Sequence, residues 1–282
     1  MWICPSCQLP LSLLEHSWSC DNGHRYDQAK EAYVNLLLAQ HKRSKEPGDN
    51  KQMVNARRAF LQEGHYQPLA NRLASLITEH QVAEELNVFD AGCGEGYYLH
   101  CIAGSLKAKN INVHAAGIDI SKIAVQKAAK RYTENSFAVA SSYKLPLADK
   151  SQDVIIQIFA PSGDTEIKRV LNQQGIWVQV NPAAQHLQQL KQALYDRPLQ
   201  HKAQDNVPEG FVLLNEETLS FELQLDNPQQ RMNLLMMTPF YWSAQQTKVD
   251  KMLATMRNAR VDFSIRILQQ TDPIIKPTPG MV

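Results

Sequence analysis

The stretch that most constrains this chain is Val88-Phe89-Asp90-Ala91-Gly92-Cys93-Gly94-Glu95-Gly96-Tyr97-Tyr98. A short apolar strand runs into a loop with glycine at alternate positions and then into helix-compatible sequence from Tyr98 to Ala103. That order reads as the first strand, loop and helix of a nucleotide-binding α/β sheet. Glycine lets the backbone approach a ligand, because it lacks Cβ and adopts positive φ at little steric cost, and the helix start offers unpaired N–H groups. The spacing G-x-G-x-G, led by Asp90, differs from the G-x-G-x-x-G that seats a pyrophosphate on a helix N-terminus. An acidic residue entering the loop suits a cationic or amine-bearing ligand better than a diphosphate. Downstream, Ala115-Ala116-Gly117-Ile118-Asp119-Ile120-Ser121 is a second apolar strand whose carboxylate, Asp119, lies 23 residues after Gly96. A carboxylate at that strand end can accept both hydroxyl hydrogens of a ribose. A tight glycine turn in an unrelated α/β protein is the alternative, and the strand-loop-helix context weighs against it.

A chain of 282 residues is long enough for one main domain and an accessory module. An apolar fraction of 44% with 20% charged residues excludes disordered and fibrous classes. There is no apolar run of 18 residues and no basic-then-apolar leader, so no membrane partner is expected and the expected location is cytoplasmic. The net charge of +1 leaves nucleic acid open, since phosphate contacts depend on local clustering.

The N-terminus supplies a second signal. Cys4-Pro5-Ser6-Cys7, twelve intervening residues, then Cys20 and His24 offer three thiolates and one imidazole, the complement of a closed tetrahedral zinc site. About 25 residues cannot build a sufficient core alone, so metal would hold them together. Pro10 and the Asp21-Asn22-Gly23 turn fit two knuckles joined by a hairpin. Cys93 and Cys101 stay outside this set and read as small buried side chains. Next comes the basic run His41-Lys42-Arg43-Ser44-Lys45, followed by Pro47-Gly48-Asp49, which reads either as a solvated charge run or as a loop able to meet RNA phosphates. Helical spacing follows over Met53 to Leu61, with Arg57 and Arg58 together, and again at Leu69, Leu73, Leu76 and Ile77.

With these residues on the page, the glycine loop and Asp119 resemble the class I S-adenosylmethionine-dependent methyltransferases. The whole set is similar to the rRNA large-subunit methyltransferase A family. That likeness is carried by the Cys4, Cys7, Cys20 and His24 spacing, Ala29 to Leu37, His41 to Ser44, Pro47 to Asp49, Ala56 to Leu61, Gly64-His65-Tyr66-Gln67-Pro68-Leu69 and Gly92 to Tyr98. The resemblance implies methylation of guanine N1 in a hairpin of 23S ribosomal RNA, a homodimer, and RNA lying between zinc and catalytic domains. It implies zinc on Cys4, Cys7, Cys20 and His24, and cofactor contacts at Tyr66, Tyr98, Leu99, Asp119 and His186. Gln40 to Ser44 looks closer to the family's Gram-negative branch.

The expected architecture is α/β: a class I methyltransferase, Rossmann-like with a doubly wound and mostly parallel sheet, plus a small N-terminal zinc-binding domain. Residues 1–36 would be a zinc-ribbon-like RNA-recognition module, 37–64 a basic loop and linker helix, and 65–282 the S-adenosylmethionine-dependent domain. S-adenosylmethionine would be held by Asp90, Gly92, Gly94 and Gly96 together with the positions named above. Phe137 to Ser142 reads as a third strand whose end, at Ser141, can meet an adenine edge. Asp153 to Pro161 reads as a central strand covered on both faces, with Phe159, Ala160 and Pro161 lining a base pocket at its carboxyl end. The family usually carries Tyr where this chain has Phe159, which keeps the ring and removes the hydroxyl. His186, Asp153 or a water are candidates to take the guanine N1 proton. Asn172 to Gly175 reads as a turn, Gly175 to Pro182 as a fifth strand and Phe211 to Leu225 as a strand pair. A helix is expected near Lys248 to Arg257 and a last strand over Val261 to Leu268. A zinc-ribbon RNA-binding protein with a non-catalytic methyltransferase-like domain is the alternative, and a small-molecule methyltransferase leaves the ribbon and basic loop idle.

Overall fold

A computed structural model describes residues 2–41, 47–198, 201 and 206–271. Lys42, Arg43, Ser44 and Lys45 of the basic run lie outside the described residues, and with them most of the stretch on which the Gram-negative assignment rests.

The chain opens with three short antiparallel strands, β1 (Ser12–Leu14), β2 (Ser17–Ser19) and β3 (Arg25–Asp27), and then β4 (Val34–Asn35). Two helices follow, α1 (Lys51–Gln62), whose N-terminal N–H groups are accepted by Asn50, and α2 (Gln67–His80). The alternating core is β5 (Glu85–Ala91), α3 (Tyr97–Lys107), β6 (Asn112–Asp119), α4 (Lys122–Arg131), β7 (Ser136–Val139), β8 (Gln152–Ile158), α5 (Asp164–Val170) and β9 (Leu171–Pro182). The C-terminal part adds α6 (Gln188–Leu194), β10 (Phe211–Gln224), α7 (Pro228–Met236), α8 (Gln246–Thr255) and β11 (Asn258–Gln270).

Eight strands form one sheet in the order β10-β11-β9-β8-β5-β6-β7-β4, antiparallel only where β11 pairs with β10 and β9. Chain order reverses between β5 and β8. In open α/β sheets that reversal opens a crevice at the strand carboxyl ends, which here carry Gly92 and Phe159.

Successive side chains on a strand point to opposite faces, so the sheet has two cores. One holds Val88, Val154, Ile156, Val178, Phe263 and Ile265 under α1 to α4 and α6 to α8. The other holds Phe89, Ala91, Ile118, Ala138, Ile155 and Trp177, and beside α5 it is covered by Trp2, Cys4, Leu11 and Cys20. The N-terminal ribbon therefore fills space on the second face that helices fill elsewhere. Trp2 is buried edge-on against Phe89 at 6.4 Å, Ile3 donates its N–H to the Pro146 carbonyl at 3.0 Å, and β4 extends the sheet beside β7.

Several boundaries differ from the sequence expectations. The third strand stops at Val139, leaving Ser141 in the following turn, and the fourth stops at Ile158. Phe159 breaks it with a left-handed φ of 53°. Asn172 to Gly175 is no turn: β9 begins at Leu171, and Asn172 is tied to Asp153 across a register shift in the β8–β9 pairing. The presumed strand pair is one long edge strand, β10, with a bulge near Leu213. The cross-strand ladder to β11 runs on through Asn215 and Glu216 to Gln224 without a turn. Pro228 starts a helix: Asn227 and Gln230 form a capping box, and proline is tolerated in the first turn, where its missing N–H would have no intrahelical acceptor.

Because the ribbon shares a core with the sheet, Trp2→Ala should destabilise the whole protein by about 3 to 5 kcal/mol through the cavity left behind. Thermal unfolding should show one transition moved down. A transition of the eight-stranded sheet at the wild-type temperature would show that the ribbon is not part of this core.

Candidate active site and metal centre

Two tight turns build the metal centre. In the first, Gln8 takes a left-handed φ of 63° and donates its N–H to the Cys4 carbonyl; in the second, Gly23, at φ 77°, donates to the Cys20 carbonyl. They bring Cys4 Sγ to 3.5 Å and Cys20 Sγ to 3.4 Å from His24 Nδ1, and Cys7 Sγ to 3.6 Å from Cys20 Sγ. All four ligand atoms lie within 4.8 Å of one another. A tetrahedron with bonds of about 2.0 to 2.3 Å has edges of roughly 3.3 to 3.8 Å, so the donor set fits zinc. A disulfide needs sulfurs about 2.05 Å apart and is excluded. Burial pushes the Cys4 thiol up, but hydrogen bonds from Tyr26 and from the Ser6 and Cys7 backbone outweigh it and hold it at about 6, favouring a thiolate.

The cofactor cleft lies at the carboxyl ends of β5 and β6. Gly92, at φ 116°, sits where an added Cβ would come 2.4 Å from the Ala160 Cβ. Only glycine lets the loop after β5 lie against the loop after β8. Asp119 Oδ2 accepts the Gly94 N–H at 2.9 Å and Oδ1 accepts the Ser121 N–H at 2.7 Å. Each oxygen keeps a lone pair for a ribose hydroxyl. Asp90 is 2% exposed, and its Oδ1 has no partner. Burial first, and then the neighbouring Asp119, raise it to about 8. An orphaned, buried carboxyl oxygen beside the glycine turn is the fit expected for an amine-bearing cofactor.

Beside Asp119 the wall is completed by Pro47-Gly48-Asp49. Gly48 packs so closely that a Cβ would meet Ile120 Cγ2 at 2.9 Å, and Ser121 Oγ donates to the Asp49 carbonyl. A cavity of about 280 Å³ opens there, lined by residues such as Leu37, Asn50, Ile120 and Val139.

The remaining expected residues are not all brought to this cavity. Tyr66 caps α2 and is fully buried against Phe60 and Phe263, its hydroxyl without a partner and its pKa pushed up by burial. Tyr98 is half-buried, whereas the Leu99 side chain is in the core near Gly117. Ser141 accepts the Tyr143 N–H and lines a separate, smaller cavity of about 120 Å³ facing Cys4 and Pro5. Phe159 is 42% exposed, with its ring 5.7 Å from His186 and 5.8 Å from Phe263. Ala160 and Pro161 follow it along the rim.

His186 has its Nδ1 3.0 Å from the Asp262 carbonyl and 3.2 Å from the Asp262 N–H, so one backbone residue satisfies either tautomer. Burial, and then His201, lower it to about 4, which keeps the ring neutral. Asp153 is at the wrong end of β8. It accepts from the Asn87 N–H at 2.7 Å and from Asn87 Nδ2 at 3.0 Å, and it stands six residues, roughly 20 Å, from Phe159. That distance removes it as a proton acceptor for the base pocket.

Two features escaped sequence reasoning. Glu95, in the glycine loop itself, is 2% exposed with neither carboxyl oxygen partnered; burial, opposed by Arg58 and Arg131, raises it to about 7. Above it, Lys51 and Arg58 lie seven apart on α1, and Lys127, Lys130 and Arg131 take an i, i+3, i+4 spacing on α4. Those two helices pack together, and none of the five cations makes a salt bridge among the described residues. Arg57, by contrast, is paired with Asp49.

A mostly parallel sheet with a glycine turn and a carboxylate at adjacent strand ends, carrying a Cys3His ribbon, defines a class I methyltransferase with a zinc ribbon. The comparisons with known proteins agree. Residues 2–45 match the family model described as RlmA, N-terminal, and residues 83–254 match a methyltransferase domain. The chain is 34% identical over 230 residues to the 23S rRNA (guanine(748)-N(1))-methyltransferase of Streptomyces fradiae, covering 79% of this chain and 80% of that one. It is 31% identical over 278 residues to the Bacillus subtilis protein YxjB, provisionally named a 23S rRNA (guanine-N(1)-)-methyltransferase, covering 95% and 96%. In fold alone, it matches with a TM-score of 0.50 and 16% identity a chain from the complex of the Haloferax volcanii Trm112 methyltransferase activator with a methyltransferase, covering 80% and 100%. The chain belongs to the family of 23S rRNA guanine-N1 methyltransferases, enzymes that use S-adenosylmethionine and carry a zinc ribbon.

Zinc binding should be stoichiometric, and Cys20→Ser should lose the metal and lower the melting temperature of the entire chain, since ligation energy is folding energy. Elemental analysis checks the first and calorimetry the second. A zinc-free variant with an unchanged melting profile would contradict this assignment.

Proposed function

We propose that this chain transfers a methyl group from S-adenosylmethionine to N1 of a guanine in a hairpin of 23S ribosomal RNA, using the crevice between the loops after β5 and β8. The observation that carries this reading is the contact between Gly92 and Ala160, which sets the cofactor loop directly against the rim bearing Phe159. S-adenosylmethionine, when bound, supplies an electrophilic methyl on a sulfonium.

The chain's own residues do the holding. Asp119 accepts the ribose hydroxyls and Asp90 takes the amino group. Phe159 offers an aromatic face to a guanine taken out of its stack. Catalysis by such a site is chiefly orientation of N1 toward the methyl. Asp153 is out of reach, so the N1 proton passes to the neutral ring of His186, beside Phe159 and engaged by Asp262 at Nδ1 alone, or to water entering past the half-open Phe159 ring. The cations of α1 and α4 give RNA phosphates a path beside the cofactor loop. Action on ribosomal RNA implies a cytoplasmic location, and no helix among the described residues is long and apolar enough to cross a membrane. A homodimer, implied by the family resemblance, has a candidate contact in the open edge of β10, where Val212 and Leu214 are exposed; sedimentation of the purified chain tests it.

Methylation at N1 blocks the Watson–Crick edge, so primer extension on 23S rRNA should stop one nucleotide before the target when the chain is present. Rescue by Asp119→Ala should fail. No difference between rRNA from cells with and without the chain would reject the reading.

Cofactor binding should also depend on pH. Below about 8 the free site holds Asp90 protonated. A bound cation favours the carboxylate, so binding must expel a proton. Affinity should therefore rise with pH toward 8, by up to about tenfold per unit. Asp119→Ala should weaken the cofactor by about 1.5 to 3 kcal/mol, whereas Phe159→Ala should leave its affinity intact. Titration calorimetry in buffers of different ionisation enthalpy reads both the affinity and the released proton.

A further inference from the structure

We propose that Tyr143 is a stacking platform for the nucleotide flanking the target guanine, held between the zinc ribbon and the base pocket; this rests on reading the chain as an RNA methyltransferase. Tyr143 is 61% exposed, and among the described residues only Phe159 and Trp242 are comparably open Phe, Tyr or Trp side chains. Its ring therefore contributes little to the core.

The turn that carries it is held from three directions. Within the turn, Lys144 donates its N–H to the Ser141 carbonyl at 3.1 Å and Tyr143 donates its own to Ser141 Oγ at 3.2 Å. Toward the pocket, Ser142 Oγ donates to the Pro161 carbonyl at 2.6 Å, and Gly163 donates its N–H to the Ser142 carbonyl at 3.4 Å. The Tyr143 ring lies on this segment, with Cδ1 3.6 Å from where a Cβ on Gly163 would stand. Toward the ribbon, Lys144 Nζ donates to the carbonyl of Pro5, between the ligands Cys4 and Cys7.

An exposed aromatic ring on a fixed mount loses little freedom when a base stacks on it. Extruding a guanine onto Phe159 also leaves its neighbour without a stacking partner on one side. Tyr143 stands on the turn bonded to Pro161, two residues beyond Phe159, where a replacement face is needed. Stacking of this kind tolerates any base, because each has a π-face.

The test uses the full chain with zinc and a hairpin transcribed from 23S rRNA. Tyr143→Ala should raise the KM for RNA by about tenfold or more. The kcat at saturating RNA, the affinity for S-adenosylmethionine and the melting temperature should stay at wild-type values, the pattern of lost uniform binding. Tyr143→Phe should behave as wild type, and 2-aminopurine placed beside the target guanine should be quenched by wild type and Tyr143→Phe but not by Tyr143→Ala. A KM within twofold of wild type for Tyr143→Ala overturns the proposal, as does an equal loss in Tyr143→Phe, which would assign the effect to the hydroxyl. Should wild type itself leave the hairpin unmethylated, the underlying functional reading falls first.

Discussion

The contact between Gly92 and Ala160 is the constraint on which the site depends. Two loops that leave adjacent parallel strands can meet only if one lacks a side chain there, and the 2.4 Å gap to a hypothetical Cβ shows how little room there is. The meeting has a cost on the other strand. Phe159 leaves β8 in a left-handed conformation, which for a bulky residue costs on the order of 1 to 3 kcal/mol. Its N–H donates to the Val180 carbonyl at 3.0 Å, and the Ala160 carbonyl accepts from Gln157 Nε2, so the distortion is held by β8 and β9 themselves. The reward is an aromatic ring that turns out of the sheet toward solvent beside the cofactor loop.

That loop is also electrostatically unusual. Asp90 and Glu95 stand five residues apart, both buried and both short of partners, and burial lifts them toward neutrality. A buried carboxyl without a hydrogen bond is costly, and such groups persist where a ligand or a neighbouring charge completes them. On the function proposed above, the amino group of the cofactor completes Asp90. Glu95 faces the cations of α1 and α4 instead, so two buried carboxyls of one loop have different surroundings.

The zinc ribbon is part of this arrangement rather than an appendage. By burying Trp2, Leu11 and Cys20 against Phe89 and Ala138, it finishes the second face of the sheet, and through Lys144 and Pro5 it abuts the turn carrying Tyr143. The ribbon thereby sets the position of the turn carrying Tyr143 through continuous packing, which in a close-packed interior transmits displacement.

The sequence by itself determined the parts of this protein that are written in short spans. The glycine loop, Asp119 at its strand end, the four zinc ligands and the amphipathic α2 were legible because turn chemistry, ligand spacing and helical period act within a few residues of chain. Only the tertiary structure decided which groups meet. Asp153 and Phe159 flank the same strand in sequence, yet strand rise carries one to the far end of the sheet. Ser141 ends the expected strand but faces the ribbon, because β7 stops at Val139 and the chain turns. Asn172 reads as part of a turn, and its long-range partner Asp153 makes it a sheet residue. Glu95 looks like any surface acid until α1 and α4 close over it. Burial, register and the face a side chain presents come from contacts between residues distant in sequence, and no local pattern encodes them.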